Sequence, residues 1–172
     1  MFSLKRAITD RLQYGRQTFV DLANARSEEA FKQRLVNKWS LAETMQHLYL
    51  SARPVHRLMI GPREVLLQWG RAYGSSRSYP TIEAAYASAL SQGVKAPPSL
   101  SPRPEDMQDG RAVIVQRFDD VYQGLCDAVQ FWSFEDLDEY VIPHPLLGKL
   151  TVREMLDFTS VHTMHHLRAF GR

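Results

Sequence analysis

Residues 151–170 read TVREMLDFTSVHTMHHLRAF. Thr151 with Glu154 three residues later is a capping box, in which each side chain satisfies an amide at the start of a helix. A helix therefore opens at Val152 and runs to about Phe170. Val152, Met155, Thr159, His162, His166 and Ala169 fall on one face of it, and this apolar-rich stripe is the inward one. His162 and His166 lie about 40° apart and one turn from each other. Two imidazoles thus point inward at the i, i+4 spacing with which a helix can offer two ligands to one cation. His165 falls about 60° to one side, on the flank of the stripe, and Asp157, about 140° away, belongs in solvent.

A second segment carries the same signal. In WSLAETMQHL, residues 39–48, Ser40 and Glu43 form another capping box, and Trp39 precedes the cap where a hydrophobic staple residue belongs. This helix runs to about Met59, with Pro54 removing one internal hydrogen bond and bending it. Thr44, Ser51, Val55 and Leu58 share the face of His47, a partly polar stripe of the kind that lines a pocket. Met45 and Gln46 turn away from that face. His56, about 180° round from His47, faces solvent.

The remaining chain fits around these two helices. Leu4 to Ala25 reads as a first helix, with Leu4, Ile8, Leu12, Phe19 and Leu22 on its apolar side, and a polar stretch follows from Arg26 to Asn37. Arg111 to Phe131 is a third long helix, and Ser133 to Tyr140 is one more turn. VIPHPLLGKL, residues 141–150, is an extended or turning link, because Pro143 and Pro145 forbid a continuous helix. Between Gly61 and Gly110 the pattern loosens, with a short helix from Thr81 to Gln92 ending at Gly93. Such a connection is too long to be bare loop in a compact fold, so it covers something. The reading is all-α: one domain over residues 1–172, a four-helix bundle with a long crossover connection between helices 2 and 3.

Bulk properties narrow the partners. The 172 residues carry 21 basic and 19 acidic side chains, a formal net charge of +2, without a basic run. That balance argues against an electrostatic nucleic-acid binder. No stretch of eighteen apolar residues exists, so no membrane partner is expected. The start lacks the apolar core of a signal peptide, and the single Cys126 allows no intrachain disulfide, so a cytoplasmic protein is expected. Cys126 reads as a small core residue. Trp39, Trp69 and Trp132 read as packing.

The histidines admit two readings on spacing alone. A lone inward histidine is usually a hydrogen-bonded core residue. An inward pair one turn apart, with a third inward histidine on another helix, is how bundle interiors build metal sites. Thr44, Ser51 and Thr159 offer hydroxyls near them, though helix hydroxyls commonly bond a backbone carbonyl. Glu43 is accounted for by its cap. Arg53 and Arg168 are candidates to meet an anionic substrate, with plain surface positions as the commoner outcome.

Residues 39–48 (WSLAETMQHL), 144–156 (HPLLGKLTVREML) and 162–167 (HTMHHL) resemble the DinB/YfiT-like family. The stretch from Ser78-Tyr79 through Gly93-Val94-Lys95-Ala96-Pro97 is similar to the long connection of some members. The resemblance covers nearly the whole chain. It implies a four-helix bundle with one long crossover, a homodimer, and one divalent metal ion held by one histidine of the second helix and two of the last. On this sequence those residues are His47, His162 and His166. The expected ion is zinc, with nickel, iron and manganese compatible with three imidazoles. Three protein ligands leave a coordination position open, the arrangement of catalytic zinc. Characterised relatives include thiol-dependent S-transferases, which implies a metal-dependent transferase that activates a low-molecular-weight thiol and adds it to an electrophilic substrate. A metal-dependent hydrolase using metal-bound water is the alternative. A non-catalytic metal-binding or stress-response protein is the alternative of a different class.

Overall fold

Both capping boxes form. In the computed structural model, which describes residues 2–34, 36 and 38–171, Ser40 Oγ accepts from the Glu43 amide while the Glu43 carboxylate accepts from the Ser40 amide. Thr151 and Glu154 make the same reciprocal pair at 3.1 Å each way. The polar stretch expected from Arg26 to Asn37 falls partly outside the described residues. Within it Ser27 caps a single short helix.

The protein is mostly helical. The elements are α1 (Phe2–Asn24), α2 (Glu28–Lys32), α3 (Leu41–Ile60), α4 (Tyr79–Ser91), α5 (Arg111–Gln130), α6 (Phe134–Glu139), β1 (Val141–His144), β2 (Gly148–Thr151) and α7 (Val152–Leu167), joined by short 3-10 turns. Pro54 lies inside α3 without ending it. The link at 141–150 is a β-hairpin: β1 pairs antiparallel with β2, His144 opposite Gly148. Pro145, Leu146 and Leu147 form the loop. Gly148 takes φ 73°, the left-handed position that closes a three-residue hairpin loop and that glycine adopts at least cost.

Helix α5 packs on α3 and α1, and α7 packs on α1, α3 and α4. The apolar faces read from the sequence meet in one core that holds Ile8, Leu12, Phe19, Leu48, Phe118, Leu125, Val129 and Leu156. Cys126 and Trp132 are buried in it, the indole N–H of Trp132 donating to the Met59 carbonyl. Among the described residues no helix is long and apolar enough to cross a membrane.

Two expectations are corrected. Asp157 is buried, 4% exposed, and accepts from the Arg11 guanidinium at 2.6 Å, because α1 covers the side of α7 that the sequence alone left open. Burial raises its carboxyl pKa, against the pull of Arg11. His56 is half-buried and its ring fills the space over Gly124 of α5. Met45 and Gln46 leave the face of His47 but are themselves buried, since every residue from Leu41 to Leu48 is enclosed. Helix α3 is therefore covered all round at its N-terminal half, and its stripe does not separate core from solvent.

Gly15 sets the approach of α1 to α7. A Cβ there would lie 2.7 Å from Thr163 Cγ2, and the Thr163 hydroxyl is committed to the Thr159 carbonyl and to Tyr122. Overpacking costs about 1–3 kcal/mol, more than the roughly 1 kcal/mol of helix propensity that alanine would add. Gly15→Ala should therefore destabilise, and Gly15→Ala combined with Thr163→Ser, which keeps the hydroxyl and removes the clashing methyl, should recover the loss. Urea denaturation of the two single variants and the double variant measures the coupling. Additive effects would show that the two helices do not meet at this point.

Candidate metal centre and cavity

His47 comes from the middle of α3, His162 and His166 from successive turns of α7. Their Nε2 atoms converge. His162 Nε2 lies 3.0 Å from His47 Nε2 and 3.1 Å from His166 Nε2, and the three ligand atoms all lie within 4.8 Å of one another. His47 and His162 are buried and His166 is partly open. The three residues picked from the sequence are thus brought together.

Their surroundings fix how each ring presents itself. His47 Nδ1 is 2.6 Å from the Leu100 carbonyl. A carbonyl only accepts, so Nδ1 carries the proton and Nε2 turns a bare lone pair to the centre. Metal-ligating histidines are commonly oriented by such a bond from the other ring nitrogen. Trp39 lies against His47 at 4.8 Å and stacks on His166 at 6.3 Å. Its place before the Ser40 cap therefore serves the histidines. Phe158 stacks on His162 at 5.4 Å.

Burial holds all three imidazoles in the neutral form. It pushes His166 down to about 3, with His47 and His165 adding to the effect. His162 falls well below its ordinary value through burial and then through its neighbours His166 and His47. His47 is lowered by burial against the opposing pull of Leu100. Neutral imidazole is the form that ligates. The donor set also fits in size. Tetrahedral bonds of about 2.0–2.1 Å place two nitrogens roughly 3.3 Å apart, close to the 3.0 and 3.1 Å from His162 to its two neighbours. By hydrogen bonds alone, His162 could serve both neighbours only by sharing one N–H between two lone pairs, whereas one cation satisfies all three nitrogens. The triad could hold a divalent metal ion.

Residues 11–170 match the family model of the DinB superfamily. The chain belongs to the DinB superfamily. Among curated proteins and among solved structures, none matches the chain. For this DinB-superfamily chain, the site rests on its own geometry.

Beside the triad opens a cavity of about 560 Å³. Its walls are mainly apolar: Leu48, Val55 and Leu58 from α3, Tyr86 and Leu90 from α4, Ile142 and Leu146 from the hairpin, and Met155 and Phe158 from α7. The connection between α3 and α5 therefore does cover something, closing the cavity with α4 and delivering the Leu100 carbonyl to His47. Tyr86 was not singled out from the sequence. It lies 5.9 Å from His162 and 5.6 Å from His165, and burial pushes its hydroxyl up to about 12. A second, open cleft behind His165 and His166 is lined by Arg34, Lys38 and Arg168.

The other candidates resolve as follows. Thr44, Ser51 and Thr159 each donate to the carbonyl four residues back, at 2.8–2.9 Å. Glu43 serves its cap and pairs with Arg34. Arg168, which lines the open cleft, pairs with Glu83, and Arg53 lies over Tyr49. His165 lines both cavities. His144 lines the apolar cavity with its ring 4.1 Å from Phe158, and burial lowers it to about 4.

Two outcomes follow from this geometry. Protein purified without a nickel column should carry about one divalent ion per chain, and His162→Ala should carry none; equal metal content in both by elemental analysis would place the ion elsewhere. Metal-free protein should also be acid-sensitive. In the unfolded chain histidine titrates near about 6.5, whereas folded His144 and His166 resist protonation down to about 4 and about 3. A folded pKa below the unfolded one means that the stabilisation is complete above about pH 6.5 and drains away as pH falls, since the unfolded chain takes up the protons. The melting temperature of metal-free protein should fall between about pH 7 and about pH 5. A flat or rising profile would contradict the neutral assignment.

Proposed function

We propose that this chain is a metal-dependent enzyme, a thiol S-transferase in which His47, His162 and His166 hold a divalent ion, zinc first, beside a pocket for an apolar electrophile. The observation that carries the reading is the apolar cavity of about 560 Å³ with the triad in its wall. A site that only stored metal would gain nothing from an apolar cavity against it. Small-molecule sites in general are largely apolar with a few placed polar groups. The frame we propose is a four-helix bundle of α1, α3, α5 and α7, with residues 61–110 as its crossover.

When bound, the ion supplies Lewis acidity that shifts a ligating thiol toward thiolate. The chain's own residues do the rest. Neutral imidazoles donate lone pairs without competing protons. The Leu100 carbonyl keeps His47 in the ligating tautomer. Phe158, Leu48, Met155 and Tyr86 hold the electrophile's apolar body and exclude water from the reacting pair.

Zinc-loaded protein incubated with a panel of low-molecular-weight thiols and 1-chloro-2,4-dinitrobenzene tests this. Arylation of a thiol should run at least tenfold faster than with His166→Ala, which loses about 1.4 kcal/mol or more of transition-state stabilisation. Equal rates would sink the transferase reading. Ester hydrolysis that needs the triad but no thiol would replace it with a hydrolase.

A further inference from the structure

His144 ends β1 and its side chain turns back into the hairpin loop. Nδ1 lies 3.2 Å from the Leu146 amide and 3.1 Å from the Leu147 amide. Backbone amides only donate, so Nδ1 must be the bare, accepting nitrogen. A neutral ring with a bare Nδ1 carries its proton on Nε2. The ring lines the apolar cavity and packs at a tilt of 60° against Phe158, whose ring in turn stacks on His162. Among the described residues Nε2 meets no hydrogen-bond partner, although Nδ1 has two.

We propose that His144 is a fixed neutral N–H donor in the cavity wall, which selects substrates carrying a hydrogen-bond acceptor, such as a carbonyl or nitro oxygen, on an otherwise apolar body. This rests on reading the cavity as the substrate pocket. A donor without a protein partner in apolar surroundings gains from a ligand acceptor and penalises a ligand that leaves it bare. Tyr86, Lys95 and His165 also line the cavity, but several other polar groups of the wall are already committed. The Ser51 and Thr159 hydroxyls donate to their own helix, and His47 donates to Leu100. The two loop amides leave the ring no freedom to switch tautomer, so the polarity of this wall is set by the hairpin backbone.

The test uses two probes of nearly one shape, benzophenone with a carbonyl acceptor and diphenylmethane without one. Their affinities for wild type and for His144→Phe, which keeps an aromatic ring on Phe158 and removes the donor, are compared at equal metal content. The substitution should weaken benzophenone about five- to tenfold, the value of one hydrogen bond, and leave diphenylmethane within about twofold. Equal weakening of both probes, or none, overturns the donor assignment while leaving the cavity a ligand site. If wild type binds neither probe, the inference falls together with the reading of the cavity. An independent check needs no variant. Two-bond 1H–15N spectra of the wild-type His144 ring should show the proton on Nε2 at neutral pH, and a proton on Nδ1 overturns the proposal whatever the probes do.

Discussion

Three imidazoles brought edge to edge away from water demand partners, and that demand organises much of the molecule. A buried polar group without a partner costs about 1–3 kcal/mol, and charging such rings in the interior is costlier still. The protein meets this by keeping each ring neutral and turning each Nε2 toward one point. It needs α3 and α7 in fixed register for that, because a slip of one residue rotates a ligand by about 100°. Helix ends set register as firmly as cores do, and both helices begin at complete capping boxes. His47 is seven residues past its cap at Ser40, and His162 eleven past Thr151, so each cap fixes where its histidines fall.

Glu154 ties that register to the covering segment. Its carboxylate caps α7, and it also accepts from the Arg77 amide at 2.7 Å and from the Arg77 guanidinium. Ser76 reaches Thr151 at the same place. The chain entering α4 is therefore pinned to the first turn of α7, and α4 then lies along α7 with Tyr86 facing Phe158 at 5.2 Å. The ion pair is buried at the carboxylate end and open at the guanidinium end. Arg77 holds the Glu154 carboxyl below its usual range against the opposing effect of burial. One carboxylate thus sets the start of the ligand helix and the position of the cavity's cover.

Local signals in the sequence reached far at the helices and stopped at the connection. The two capping boxes and the i, i+4 histidines are short-range patterns whose geometry follows from the helix itself, so His162 and His166 could be placed together from residues 151–170. That His47 meets them is a long-range fact, and the resemblance supplied it before the structure did. The roles of Tyr86 and Leu100 were not legible. Tyr86 is an ordinary aromatic in a short helix, and Leu100 acts through its carbonyl, which every residue has. Asp157 and His56 were misplaced for a related reason. A helical wheel says which residues share a face, but the packing of α1 and α5 decides which faces are covered.

His47 and His144 show how backbone alone gives one side chain opposite functions in one cavity. A carbonyl at Nδ1 of His47 forces the proton there and leaves Nε2 a lone pair, the form a cation needs. Amides at Nδ1 of His144 force the proton to Nε2, the form an acceptor needs. Neither assignment depends on a neighbouring charge, and burial keeps both rings neutral, so both should hold across the physiological pH range. The backbone groups responsible belong to the covering segment at Leu100 and to the hairpin loop at Leu146 and Leu147. These are the two elements least like the long helices. Changes in those connections could therefore alter what the cavity accepts, or how firmly the triad holds its ion, while the helices that carry the ligands stay as they are.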